Sequence, residues 1–274
     1  MDKSFSIGQT FRDFQLGLKK LNRTPEFIQK HKLWHGFWNY GWATLFLVVG
    51  GLVIISRFMT YFSHILESFQ RTDISHLGTS IGTLFSEISA ETYSLAVDSS
   101  FKWIILILME VVIFHAVRKT LAILSSEPLK EVGFDVFLKA QIRMFQLGIF
   151  SWVMEMVMTI LFKTATGILG VTFLIPVGVF LIQSFLLGFT MIDNYIEQRH
   201  DMTMMESFKQ SQYVLGIALS IGIVLSVVVW FPLIGVFVAS LIGAVAASLA
   251  MYHIEQNEPY RVVIPEQDHV IEVE

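Results

Sequence analysis

Two carboxylates stand inside apolar stretches of this chain, Glu110 within residues 102–124 and Glu155 within residues 144–162. A carboxylate in a bilayer interior is costly; by default it marks an ion or proton path, or has a buried partner. Glu110 precedes Arg118 by about two helical turns, too far for an unstrained pair within one helix. Hydroxyls and amides such as Ser151, Thr159 or Gln183 are candidate partners in a purely structural role. Glu155 is the stronger pathway candidate, because it sits mid-segment beside a Gly-rich stretch that permits close approach. His115 has no second histidine or carboxylate at metal-ligand spacing and reads as a satisfied helical histidine. Lys30, His31 and Lys32 form a cationic cluster just before the first apolar segment. Its plain reading is a positive-inside anchor, and its sharper reading is an anion-collecting entrance.

Other chemistry lacks support. The chain has no cysteine, which excludes disulfides, thiolate catalysis and Cys-ligated metals. GxxxxGK[ST], GxGxxG, GxSxG and HExxH sequences are absent from the contexts where they would act. The reading is therefore of a protein that is not an enzyme, with no cofactor, no metal and no nucleic-acid partner.

The elements that position these residues belong to a membrane. Hydrophobic residues make up 54% of the chain and charged ones 15%, far from a soluble globular composition. Residues 213–254 hold no Asp, Glu, Lys or Arg, a run about twice what one spanning helix needs. It is interrupted at Trp230-Phe231-Pro232-Leu233-Ile234-Gly235, where proline removes a backbone donor and clashes with the preceding turn. Two apolar helices joined at Pro232 and Gly235 are the simplest outcome. A second uncharged stretch, 164–192, contains Pro176 and Gly178 and is expected to break in the same way after a turn beginning at Lys163. A weak repeat at an offset of 57 positions superimposes Gly178-Val179-Phe180 on Gly235-Val236-Phe237 and Tyr195 on Tyr252.

Further spans are expected at 36–56, headed by Trp34, Trp38, Tyr40 and Trp42, at 102–124 and at 144–162. Residues 5–21 place Phe11, Phe14, Leu18 and Leu21 at helical spacing. They suit either a helix at the cytoplasmic interface or one packed on the protein's own cytoplasmic end, with Thr24-Pro25 starting a new segment. No cleavable signal peptide is evident. Residues 193–212 read as a polar connector. The domain plan is an interfacial segment 1–35, a helical membrane domain 36–254 with an exterior segment 57–102, and an acidic tail 255–274. Seven basic residues in the first 35, and five between Arg118 and Arg143, set against a net acidic 57–102, place both termini in the cytoplasm.

Four groups of residues, taken in order, resemble the CysZ-type sulfate permeases and the related etoposide-induced endoplasmic reticulum proteins. They are Phe11-Arg12-Asp13-Phe14-Gln15-Leu16-Gly17-Leu18 with Leu21 and Pro25; Met191-Ile192-Asp193-Asn194-Tyr195-Ile196-Glu197-Gln198-Arg199; Ser207-Phe208 with Gly216; and Phe231-Pro232-Leu233-Ile234-Gly235 with the Ala-rich stretch Ala244 to Ala250. The resemblance implies an all-α polytopic membrane protein with two long transmembrane helices and two hairpins that penetrate only partly. It also implies homo-oligomeric assembly and channel-like passage of sulfate. The family's Gly-Leu/Ile-Arg motif after the proline is replaced here by Glu26-Phe27-Ile28-Gln29. An arginine fork suits a divalent oxyanion and a glutamate repels it; Lys30 and Lys32 are the offset cations nearby. The expected function is a channel or permease for a small solute, an inorganic anion such as sulfate, in a bacterial inner membrane. The alternative is a non-transporting membrane protein that scaffolds partners.

Overall fold

The computed structural model describes residues 6–35, 99–126, 134–229 and 234–258. The span expected at 36–56, nearly all of the segment 57–102, Pro232 and most of the acidic tail lie outside the described residues. Those described form an all-helical membrane architecture: α1 (Ile7–His31), α2 (Ser99–Ser125), α3 (Phe134–Ile168), a 3-10 turn (Thr172–Leu174), α4 (Ile175–His200), α5 (Met204–Tyr213), α6 (Leu215–Val228) and α7 (Ile234–Asn257). No strand occurs among them. Among the described residues three helices are long and apolar enough to cross a bilayer (Leu138–Ile168, Thr172–His200 and Gly235–Asn257), or four if the α5–α6 pair, bent by 97°, counts as one span.

Helix α4 is the axis of the fold. Phe189, Met191, Ile192, Tyr195 and Ile196 on it are wholly buried, and it packs against α2, α3, α6 and α7. Lipid tails are as apolar as leucine, so close backbone approach has to supply the cohesion between such helices. The chain provides it with small residues four apart: Ser184 and Gly188 on α4 meet Ala218 and Gly222 on α6. The Ser184 and Ser226 hydroxyls bond at 3.2 Å beside this crossing. On the opposite side of α6, Gly216 and Ser220 receive Thr10, Asp13 and Gly17 of α1.

Several boundaries differ from the sequence reading, each for a physical reason. Helix α1 runs unbroken through Pro25; the Thr24 hydroxyl donates to the Lys20 carbonyl at 2.9 Å across the turn that the proline disturbs. It packs on the bundle through Asp13, Gly17, Leu21, Thr24 and Ile28; of the expected stripe, Leu21 is buried and Phe14 half-buried, while Phe11 and Leu18 stay exposed. Helix α3 continues past Lys163 to Ile168, and the break falls at 169–174, where Gly170 adopts φ +69°. Pro176 therefore starts α4, where its missing donor costs nothing. Gly178 lies inside that helix, where a Cβ would meet the Phe162 ring. Residues 193–200 are the end of α4, not a connector; a helix can carry Asp193 and Glu197 there because both are paired, as described below. The true connector is short and leads to α5, whose Thr203 and Glu206 form a reciprocal cap.

The expected break in 213–254 is present, with α6 ending at Val228 and α7 beginning at Ile234. Gly235 is buried in the first turn of α7. The two helices pack together, and a Cβ on Gly243 would come 2.6 Å from Leu225 Cδ1. Tyr195 precedes the last residue of α4 by the same interval as Tyr252 precedes the last residue of α7, the placement the repeat implies.

Candidate functional site

The ionisable core of the bundle lies where α2, α3 and α4 meet. Arg143 of α3 forks onto Asp193 of α4, with Nη2 to Oδ1 at 2.8 Å and Nε to Oδ2 at 3.1 Å. The same guanidinium reaches Glu197 at 3.4 Å and donates its Nη1 to the Met202 carbonyl after the end of α4. Asp193 and Glu197 stand one turn apart on one face, so a single fork spans both. Glu110 of α2 points into this group from the other side. It is 1% exposed, it has Glu197, Asp193 and Arg143 as its electrostatic neighbours, and neither carboxyl oxygen has a hydrogen-bond partner among the described residues.

A second polar cluster ties α4 to the end of α7. Glu255 accepts from the Tyr195 hydroxyl at 2.6 Å and from Arg199 at 3.2 and 3.3 Å, and His200 Nε2 lies 3.5 Å away. Tyr252 donates to the Leu124 carbonyl at 3.0 Å and Gln198 to the Phe114 carbonyl at 3.4 Å, so α2 is tied to both helices. An aromatic nest fills the space toward α5. Phe208 sits edge-on to Phe150 and Phe189, both at 5.1 Å between centroids.

The residues expected from sequence fall in different places. Glu155 is half-buried and accepts from Gln183 Nε2 at 2.7 Å, one of the partners expected for a structural role. His115 Nε2 lies 3.2 Å from the Leu33 carbonyl and is satisfied as expected. Lys30 and Lys32 are exposed, and His31 packs against Phe27 at 4.5 Å. Lys32 occupies the left-handed region at φ 47° and caps α1, and Lys119 of α2 donates to the Lys32 and His35 carbonyls at 2.9 and 2.7 Å. The turn that carries the cationic cluster is thus fixed to α2, whereas Glu155 of α3 is bonded to α4. Among the described residues no group of three His, Asp or Glu side chains could hold a metal ion.

Arg143, Asp193, Glu197, Arg199 and Glu255 were not singled out for chemistry in the sequence. The available signal was the Asp193/Glu197 spacing at the end of an apolar stretch, two acids one turn apart on one helix face. No family model matches this chain, and no curated protein matches it.

The Glu155–Gln183 bond gives a direct expectation. Glu155→Gln keeps an acceptor for Gln183, so thermal stability should change by no more than a neutral hydrogen bond is worth, about 1 kcal/mol. Gln183→Leu removes the donor from a half-buried carboxyl and should destabilise more. Equal melting temperatures for the two variants would show that the bond contributes nothing.

Proposed function

We infer that this protein is a permease or channel that passes a small solute across a membrane, with the α2–α3–α4 ionisable core as its working part. One observation carries the reading: Glu110 is buried without a hydrogen-bond partner among the described residues, and its electrostatic neighbours are two other carboxylates and a single arginine. An unpartnered carboxyl in such a place costs several kcal/mol. A fold whose only task is to pack would gain by replacing it with leucine or methionine. Retaining it fits a group that exchanges a proton or an ion during transport.

The solute we propose is an inorganic anion such as sulfate. The resemblance to the sulfate permeases supports it, as does the exposed Lys30–Lys32 cluster anchored beside α2, which would gather anions at that end. Arg143 has the right fork for an oxyanion but is taken by Asp193, Glu197 and a carbonyl, so an arriving anion would have to compete with them. The resemblance supports a bacterial inner membrane, and the basic-residue asymmetry supports a cytoplasmic side for both termini. A scaffolding role is the second reading, favoured by the long bare face of α3. Ile149, Trp152, Met156, Ile160 and Leu161 are all exposed there, available to lipid or to a partner helix.

Flux of radiolabelled sulfate into liposomes containing the purified protein tests the proposal. Glu110→Gln should change the rate, or its dependence on pH, by roughly tenfold, the usual effect of removing a group worth about 1.4 kcal/mol to the transported state. Flux no greater than in empty liposomes, for sulfate and for other small anions, favours the scaffold. Unchanged flux and pH profile in a folded Glu110→Gln protein would reduce Glu110 to a packing role.

A further inference from the structure

Helix α1 has three faces, and the bundle uses one of them. Asp13, Gly17, Leu21, Thr24 and Ile28 are buried. At about 100° per residue, Ile7, Phe11 and Leu18 point roughly a quarter-turn from that line, and all three are exposed, at 79%, 61% and 40%. Arg12, Lys19, Arg23 and Lys30, also exposed, form another line about a third of a turn beyond the apolar one. Glu26 is the exposed acid among the described residues of α1.

The helix sits at the charged end of the bundle. Lys19 and Lys20 lie within electrostatic reach of His253 near the end of α7, and the turn after α1 is tied to α2 by Lys119 and His115. Burial lowers the Lys20 ammonium from the usual lysine range, and the neighbouring charges of Arg23 and Lys19 lower it further. Lys19, Lys20 and Arg23 thus lie close enough for their positive charges to act on one another.

An apolar line beside a basic line, on a helix whose third side is fixed to a membrane domain, matches the two zones of a bilayer surface. We propose that α1 docks on the anionic headgroup layer of the leaflet at this end of the bundle. Arg12, Lys19, Arg23 and Lys30 hold phospholipid phosphates, while Ile7, Phe11 and Leu18 enter the acyl boundary. The occupant is an anionic phospholipid and not a neutral one, because the apolar line alone would bind any lipid and needs no row of four cations. Each basic residue at such a surface contributes roughly fivefold in affinity. The inference does not depend on transport.

The test uses the full-length protein reconstituted in liposomes of phosphatidylcholine and phosphatidylglycerol in equal amounts. After extraction in mild detergent, the lipids that stay bound are counted by mass spectrometry. Phosphatidylglycerol should be enriched, and the quadruple variant Arg12→Gln/Lys19→Gln/Arg23→Gln/Lys30→Gln should lower the enrichment by about tenfold or more. Glu26→Gln should preserve or raise it. The native chain has no cysteine, so an environment-sensitive dye on Leu18→Cys gives a second readout that leaves the basic line intact. Its emission should shift to the blue in nanodiscs containing phosphatidylglycerol, and high salt should weaken the shift by screening. Three results would overturn the proposal: enrichment untouched in the quadruple variant, Leu18 dye emission the same with and without phosphatidylglycerol, or displacement of the lipid by inorganic phosphate alone. The last would identify a free-phosphate site. Binding of an acidic soluble protein with no lipid preference would likewise count against it.

Discussion

Arg143→Met should be the most damaging single change in the charged core, costing about 3–5 kcal/mol, the range for breaking a buried ion pair from one side. The reason is what remains. Asp193 is 1% exposed and Glu197 18%, and Arg143 itself is only 14% exposed, so water screens little of the interaction. Without the guanidinium, Asp193, Glu197 and Glu110 are left together with no cation in the group. Asp193→Asn should cost less, because Arg143 keeps Glu197 and the Met202 carbonyl and the amide oxygen can still accept. Removing both ends with apolar residues of similar size, Arg143→Met with Asp193→Leu, should recover most of the loss, since neither charge is then stranded. Thermal unfolding in detergent measures the series. A drop on the order of 10 °C is expected for Arg143→Met, given a few degrees per kcal/mol for a chain of this size. A melting temperature within a degree of the parent would mean that the network contributes little and that Asp193 finds another partner.

The class of fold was legible from the sequence because the bilayer imposes it. Long stretches without charge have to be helices, and a proline within such a stretch has to fall at a break or a start. The interruption before Gly235 follows from that rule alone. Boundaries were less legible where tertiary pairing overrides polarity. Asp193 and Glu197 look like the beginning of a connector, yet α4 carries them because Arg143, fifty positions earlier, supplies the missing charge. Nothing in the local sequence of either segment announces the other. Pro176 misled in a related way: a proline marks both a helix interior that breaks and a first turn that starts, and only the fold tells the two apart.

The candidate site was legible in kind and not in place. Two buried carboxylates were readable, but the better pathway candidate from position alone was Glu155. The structure gives Glu155 a donor in Gln183 and leaves Glu110 without one. Position within an apolar segment measures depth; whether a group is satisfied depends on the neighbouring helix, which sequence spacing does not reveal. Helix α1 shows the same limit. Of its stripe Phe11, Phe14, Leu18 and Leu21, only Leu21 is buried; the packing face is centred on Gly17 and Thr24, because α6 meets it through Gly216 and Ser220 at backbone distance. Small residues score as neither polar nor apolar in a periodicity argument, and in a membrane they are the ones that bring helices together.

A large effect of substitution is expected at the α4–α6 crossing. A Cβ on Gly222 would fall on the Ser184 carbonyl, and one on Gly188 on the Ala218 carbonyl. In each case the obstacle is backbone, which cannot turn aside as a side chain can. Even Gly222→Ala therefore has to separate the two helices, which opens the Ser184–Ser226 bond and loosens the packing around Phe189 and Ile221. Overpacking of this kind costs about 1–3 kcal/mol where side chains can adjust, and more is expected here because they cannot. Gly178→Ala should be milder, since the Phe162 ring can swing away. Gly167→Ala, with no atom within 4 Å of its Cβ, should be neutral or slightly stabilising, because alanine loses less entropy in a helix than glycine. The expected order of folded yield and melting temperature is Gly167→Ala above Gly178→Ala, with Gly188→Ala and Gly222→Ala far below. If Gly222→Ala melts with Gly167→Ala, the helices do not touch at this crossing and the central packing of the fold is wrong. If the order holds, the small-residue crossing is what lets α4 stay fully buried and present Asp193 and Glu197 to Arg143, so the same substitutions should also loosen the ionisable core one to two turns away.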